Sequence, residues 1–224
     1  MKLIKKIRDW VSLLVGKTKI WIKPWIGPKI VYIFFRPYQV NRFTDNKFDL
    51  ILSKIDTNQI NNVLDIGCNY GQISNRFSKI GKFCVGIDSL PCFSTDAYGE
   101  NGPALGVISL NPRNIELIPS FDLILLLSVH HQWIKQYGDD YAKKLVEKII
   151  SKTKKYFIIE FAAISEKYGH KSPLFTDNNE ESVRKYAEGW LNNIKFSGEI
   201  QYIGRNKEKS DKEPFRYIYM IEKN

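Results

Sequence analysis

The segment VLDIGCNYGQIS, Val63 to Ser74, brings an apolar run, an acid and two glycines together in twelve residues. Glycine lets a backbone turn approach a ligand closely, and an acid where a strand ends accepts hydrogen bonds from a cationic or hydroxyl-bearing group. Asp65, Gly67 and Gly71 are therefore the first candidates for ligand binding, with Cys68 and Asn69 carried between the glycines on the same turn. No G-K-[ST] follows, which separates this turn from a phosphate-binding loop. In the next apolar run, FCVGIDS, Asp88 stands 23 residues after Asp65. An acid at that place can take both hydroxyls of a ribose. The pair fits an adenosine-bearing ligand, and NAD satisfies it as well as any. Further polar groups close two later apolar runs: Ser128, His130 and His131 in LLLSVHHQW, and Glu160 in IIEF.

Positioning these groups requires strands that end where they begin. From residue 60 onward, short apolar runs alternate with helical patterns, the signature of a parallel sheet covered by helices. Strands are expected at Val63–Ile66, Phe83–Ile87, Ala104–Leu110, Phe121–Val129 and Tyr156–Phe161, the fourth buried on both faces by its composition. Helices are expected over Gln72–Ile80, with Gly81 as terminator, over residues 140–151, and over Glu180–Asn193. Two late strands, Glu199–Gly204 and Phe215–Ile221, flank a charged loop and read as an antiparallel pair. The expected architecture is α/β: a Rossmann-like, seven-stranded, mostly parallel sheet with an antiparallel last strand, helices on both faces and a basic N-terminal helical arm.

The turn at Val63–Gly71 resembles motif I of class I S-adenosylmethionine-dependent methyltransferases: an apolar strand, an acid, x, Gly, x, Gly, x, Gly. Asp65, Gly67 and Gly71 match the acid and the first and third glycines, and Asn69 stands in place of the middle one. Asp88 matches the family's ribose-binding acid. The resemblance implies S-adenosylmethionine as cofactor and extends over about residues 63–221. It also places Ser128 at the cofactor and, in the segment PYQVNRF ahead of the core, Tyr38 and Arg42, where members use an aromatic residue or Arg to close over the cofactor. Where many members have an adenine-contacting acid after the third strand, this chain has Asn111, so adenine would be met by backbone or by Asn111.

Methyl transfer from a sulfonium is an in-line displacement, so the enzyme chiefly aligns donor and acceptor, and a base helps when the acceptor carries a proton. His130 or His131 could supply that base. Adjacent residues on an extended chain point to opposite sides, so one of the two faces the methyl group; His131 is favoured. The alternative is that both bond only to local backbone. Glu160 either positions substrate or is a strand-end contact with solvent. No N/D-P-P-Y/F element follows the fourth strand, which argues against the amino-methylating enzymes of DNA adenine and protein glutamine and toward oxygen acceptors. Leu127, Ser128, Val129, Gly138, Asp139, Glu160, Tyr168 and Gly169 are also similar to the corresponding region of RNA 5′-phosphate methyltransferases of the bicoid-interacting type, with Trp133 displaced by one residue. Bacterial methyltransferases acting on glycans share much of that layout.

Charge divides the chain. Residues 1–42 hold ten of the 34 basic side chains and one of the 24 acids, a local balance of +9, so the net charge of +10 belongs almost wholly to this arm. Trp10, Trp21 and Trp25 lie there too, and Leu3, Ile4, Ile7, Trp10, Val11 and Leu14 recur at helical spacing, which predicts a basic amphipathic helix. The domain expectation is an arm over 1–42 and a methyltransferase domain over 43–224. The arm either packs on that domain with a solvated lysine face, lies on a membrane surface, or contacts nucleic acid. Its longest apolar run, Ile30–Phe35, is too short to span a bilayer, and no small-residue cleavage site marks a secretory signal. Three cysteines and three histidines exclude a disulfide framework and a zinc cluster, so no metal is expected and the setting is reducing cytoplasm, with peripheral attachment at the inner membrane face. The leading reading is an enzyme that O-methylates a membrane-associated or envelope glycan or phosphate. An RNA methyltransferase using the arm for phosphate contacts is the second. A non-catalytic cofactor-fold or NAD-binding protein is the third.

Overall fold

Near-continuous Val, Ile, Leu and Phe in short runs are satisfied by burial on both faces of a strand, and the central strands of the sheet are buried in this way. The computed structural model describes residues 45–89, 101–162, 180–206 and 216–223. The chain divides into Met1–Asn41 and Arg42–Asn224, and all described residues fall in the second part. In chain order the strands are β1 (Asn62–Ile66), β2 (Phe83–Asp88), β3 (Ala104–Val107), β4 (Phe121–Leu126), β5 (Thr153–Ala162), β6 (Glu199–Asn206) and β7 (Arg216–Glu222). The helices are α1 (Asp45–Leu52), α2 (Gln72–Lys79), α3 (His130–Tyr137), α4 (Asp139–Ser151) and α5 (Glu180–Asn192).

The strands form one sheet in the order β3-β2-β1-β4-β5-β7-β6. β1 through β5 pair in parallel, whereas β7 runs antiparallel to both β5 and β6. β6 and β7 form a hairpin, but β7 takes the inner place, so β6 again runs with the parallel strands. The expected antiparallel last strand is present.

Alternation along β4 separates two apolar layers. Leu123 and Leu125 pack with Phe48 and Ile51 of α1 and with Ile73 and Phe77 of α2. Ile124 and Leu126 face Leu145, Val146 and Ile149 of α4, Trp133 of α3 and Val183 and Trp190 of α5. Helices therefore cover both faces. Helix α2 stops as Gly81 predicts: Gly81 N–H bonds Ser78 carbonyl at 2.9 Å and Lys82 N–H bonds Phe77 carbonyl at 3.1 Å, with Gly81 at φ +80°. That is the Schellman arrangement, which a residue without Cβ adopts at least cost.

Two expected strands end early. β3 stops at Val107, because the Asn111 side chain starts a 3₁₀ turn at Asn114–Leu117: its Oδ1 accepts from Arg113 N–H and Asn114 N–H at 2.9 and 3.1 Å. β4 stops at Leu126, since Ser128 adopts φ +61° and the next residues enter α3. The helices α1 and α3, each eight residues long, were not anticipated.

Candidate functional site

The chain leaves β1 for β2 on one side and later returns to β4 on the other, so the carboxyl ends of β1 and β4 make a topological switch point. Open α/β sheets bind ligands in the crevice at that point. The turns after these two strands touch. A Cβ on Gly67 would collide with the Cγ2 of Val129, so glycine is what lets the β4–α3 turn rest on the β1–α2 turn.

The β1–α2 turn is built from left-handed residues: Gly67 at φ +74°, Asn69 at +52° and Gly71 at +69°. Asparagine tolerates this region better than other residues with a Cβ, which explains how it replaces a glycine here. Gly67 and Cys68 both donate backbone N–H to the Ile87 carbonyl, at 2.7 and 3.1 Å, tying the turn to the end of β2. Asn69 N–H then donates to Asp88 Oδ2 at 3.0 Å. Asp88 is thus held beside the turn it was expected to serve. Gly86 sits inside β2 because a Cβ there would stand 2.9 Å from the Cys68 sulfur and 2.7 Å from a Leu105 methyl. A lone glycine in an apolar strand was the available signal for that close approach.

Asp65 is buried and accepts a 2.7 Å hydrogen bond from the Ser74 hydroxyl of α2. Burial pushes its carboxyl up to about 6; the Ser74 bond opposes this and the negative charge of Asp88 adds to it. A carboxylate so placed gains most from a nearby cation.

Across the crevice, Ser128 donates its hydroxyl to Glu160 Oε1 at 3.0 Å. Glu160 is wholly buried near the end of β5, which removes the solvent contact, one of its two expected roles. It pairs with Lys47 of α1 at 2.5 Å through Oε2 and with Arg216 of β7 at 3.6 Å through Oε1. Burial alone would raise its carboxyl, but Lys47 and Arg216 overcome that and hold it at about 2. Lys47 and Arg216 were missed in the sequence. Arg216 left one trace, a basic residue inside the otherwise apolar run FRYIYMI; Lys47, in DNKFDLIL, left none.

The two histidines were expected to alternate on an extended chain; instead they open α3 and are both buried. His130 packs against Phe161 and Trp190, each with ring centroids 4.4 Å away, the second edge-on. That is a core position. His131 presents Nδ1 to Arg216 at 3.5 Å and so joins the Glu160 cluster. The side-chain oxygen of Asn111 is taken up by the 3₁₀ turn, where it accepts from Arg113 N–H and Asn114 N–H. Tyr38, Arg42, Tyr168 and Gly169 lie outside the described residues, as does the arm.

No protein-family model and no curated protein sequence matches the chain. Solved structures do. Crystal structures of the bifunctional kinase-methyltransferase WbdD superpose with a TM-score of 0.59 at 21% identity over 94% of this chain and 45% of theirs. WbdD in complex with a kinase inhibitor gives 0.60 at 23% over 94% and 47%. The chain has the class I S-adenosylmethionine-dependent methyltransferase fold. Magnesium protoporphyrin IX methyltransferase from Synechocystis PCC 6803, crystallised with S-adenosylmethionine, shares that methyltransferase fold with a TM-score of 0.52 at 16% identity over 81% of this chain and 78% of the other. This chain spans less than half the length of the WbdD chains it matches.

Proposed function

We propose that this protein is an S-adenosylmethionine-dependent methyltransferase acting on an oxygen of a membrane-associated glycan or phosphate. The observation that carries the reading is the bond from Asn69 N–H to Asp88, made on a glycine turn at the switch point of a sheet whose seventh strand is inserted antiparallel. An NAD-binding sheet of the doubly-wound kind lacks that insertion. The residues present suit the cofactor: a left-handed turn for close backbone approach, Asp88 for ribose hydroxyls, and Asp65 where a cationic amino group would be welcome.

When bound, S-adenosylmethionine supplies an electrophilic methyl group on a sulfonium. The chain's own part is alignment. Gly67, Asn69 and Gly71 set the depth of the turn, Asp88 sets the ribose end, and the β4–α3 turn, seated on Gly67, forms the wall from which an acceptor is met. An acceptor oxygen met at that wall would be held for in-line displacement, and any proton it carries would leave to water or to a neighbouring group. The oxygen preference is supported by the lack of an amino-methylating motif after β4, and the membrane setting by the tryptophan-bearing arm of charge +9.

Calorimetry with S-adenosylmethionine, S-adenosylhomocysteine and NAD tests the cofactor: binding of the first two and not of NAD is expected, and binding of NAD alone would overturn the reading. The acceptor is tested by supplying a labelled methyl donor to a lysate and separating RNA, protein, lipid or glycan, and small molecules. Label in the lipid or glycan fraction is expected. Label in RNA would replace the acceptor while keeping the methyltransferase.

A further inference from the structure

Glu160 is the hub of a buried polar cluster drawn from four separate parts of the domain. Lys47 comes from α1, Arg216 from β7, Ser128 from the turn after β4, and His131 from the first turn of α3. The side chains of Lys47, Arg216 and Glu160 are 5%, 1% and 0% exposed. Charges so far from water are held only by excellent mutual pairing, and they resist rearrangement once paired. His130, next to His131, is fixed from the other side by Phe161 and Trp190.

One contact has a chemical consequence. A guanidinium carries five N–H donors, has no acceptor and does not lose its proton in proteins. The imidazole nitrogen that faces Arg216 must therefore be the acceptor, which makes it the unprotonated nitrogen. In a neutral imidazole the proton then resides on the other nitrogen. Protonating Nδ1 would set two cations face to face in a buried site.

We propose that Glu160, Lys47 and Arg216 form a positioning triad that fixes His131 as the neutral imidazole with Nδ1 accepting from Arg216 and the proton on Nε2, so that His131 does not serve as the base. Its consequence for methyl transfer rests on the function proposed above; the state of the imidazole does not. Within the triad, Glu160 orients Arg216 and Lys47 balances the second carboxylate oxygen. The same Glu160 takes the Ser128 hydroxyl, which anchors the left-handed turn from which α3 starts. Neither nitrogen of His131 is then available to remove a proton: one is engaged by a permanent donor and the other already carries its hydrogen.

The chain has three histidines, His130, His131 and His170, so selective ¹⁵N labelling of the full chain gives a readable spectrum, with His131→Gln assigning the signal. Two-bond ¹H–¹⁵N correlation should show His131 with Nε2 protonated and Nδ1 bare, unchanged from about pH 8 down through the ordinary histidine midpoint of about 6.5. An Nδ1–H tautomer, or an imidazolium at neutral pH, would overturn the proposal. Arg216→Met should release His131 to titrate in the ordinary range, and Arg216→Lys, which keeps a donor-only cation, should restore the wild-type pattern. A wild-type pattern in Arg216→Met would count against the triad; if that variant does not fold, the wild-type and Arg216→Lys spectra decide. Calorimetry with S-adenosylhomocysteine on the same samples separates the two claims. No binding there, with the expected imidazole spectrum, would remove the proposed function and leave the triad.

Discussion

Asp88 and Asp65 lie on neighbouring strands and are put to opposite uses by their surroundings. Asp88 is reached by backbone N–H and stands at the mouth of the crevice, so its removal should act on ligand binding more than on folding. Asp88→Ala is expected to weaken S-adenosylhomocysteine binding by about 10- to 100-fold, the value of a pair of hydrogen bonds to a charged group, as read by calorimetry. Asp65 is buried, and its carboxyl titrates near 6 in the fold against 3.8 in the unfolded chain. The folded protein holds the proton more tightly, so the contribution of Asp65 to stability is complete below about 4, falls as pH rises toward about 6, and stays lower above it. A rise of about two pKa units corresponds to about 3 kcal/mol. Asp65→Asn, whose amide oxygen can still accept from Ser74, should therefore be more stable than wild type at neutral pH by up to about that amount, with little difference near pH 4. Urea denaturation at the two pH values checks this, and weaker cofactor binding should accompany it. Gly67→Ala meets both a left-handed backbone and Val129. The backbone alone costs about 1–2 kcal/mol. A fall in melting temperature with displacement of the β4–α3 turn is the expected result.

Among the elements, the short helix α1 and strand β7 do what none of the longer ones does: they bring the two cations to Glu160. The carboxyl of Glu160 lies near 2 in the fold and at 4.5 when unpaired. Its contribution is complete above about 4.5 and is lost as pH falls toward about 2. Glu160→Gln leaves Lys47 and Arg216 buried without their counter-charge, and removal of one partner of such a cluster costs about 3–5 kcal/mol at neutral pH. Chemical denaturation at neutral pH and at about pH 3 should show the difference from wild type narrowing in acid. The inserted position of β7 matters for the same reason. If β6 and β7 exchanged places, Arg216 would lie one strand, about 4.8 Å, further from Glu160 and outside pairing distance.

The whole molecule is electrically lopsided, with a surplus of +9 in residues 1–42 and near neutrality in the rest. No helix among the described residues is long and apolar enough to cross a bilayer, and none of their His, Cys, Asp and Glu residues cluster as a metal site. In the proposed reading the arm makes the membrane contact, through charge and Trp10, Trp21 and Trp25 together. Deleting residues 1–30 should abolish co-sedimentation with anionic vesicles while leaving S-adenosylhomocysteine binding intact. Replacing the three tryptophans should weaken vesicle binding even at low salt. An arm built for RNA would instead show affinity falling linearly in log–log terms with salt and little dependence on tryptophan.

The fold class, the first two strands, the glycine turn and the acids Asp65 and Asp88 were all legible in the sequence, because each depends on groups that are close along the chain. A left-handed turn needs Gly or Asn at that residue, and a strand buried on both faces needs an unbroken apolar run there. The early ends of β3 and β4 were less legible, since Asn111 and Ser128 act through turns that apolar patterning does not record. The roles of His130, His131 and Glu160 belonged to the tertiary structure alone. His130 became a core residue when α5 placed Trp190 on it, and His131 met Arg216 from 85 residues away. Glu160 changed from a strand-end acid to the centre of a charged cluster because α1 and β7 converge on it. Whether a polar side chain is a base, a donor or a brace depends on which groups share its low-dielectric surroundings, and that is decided by packing between distant segments.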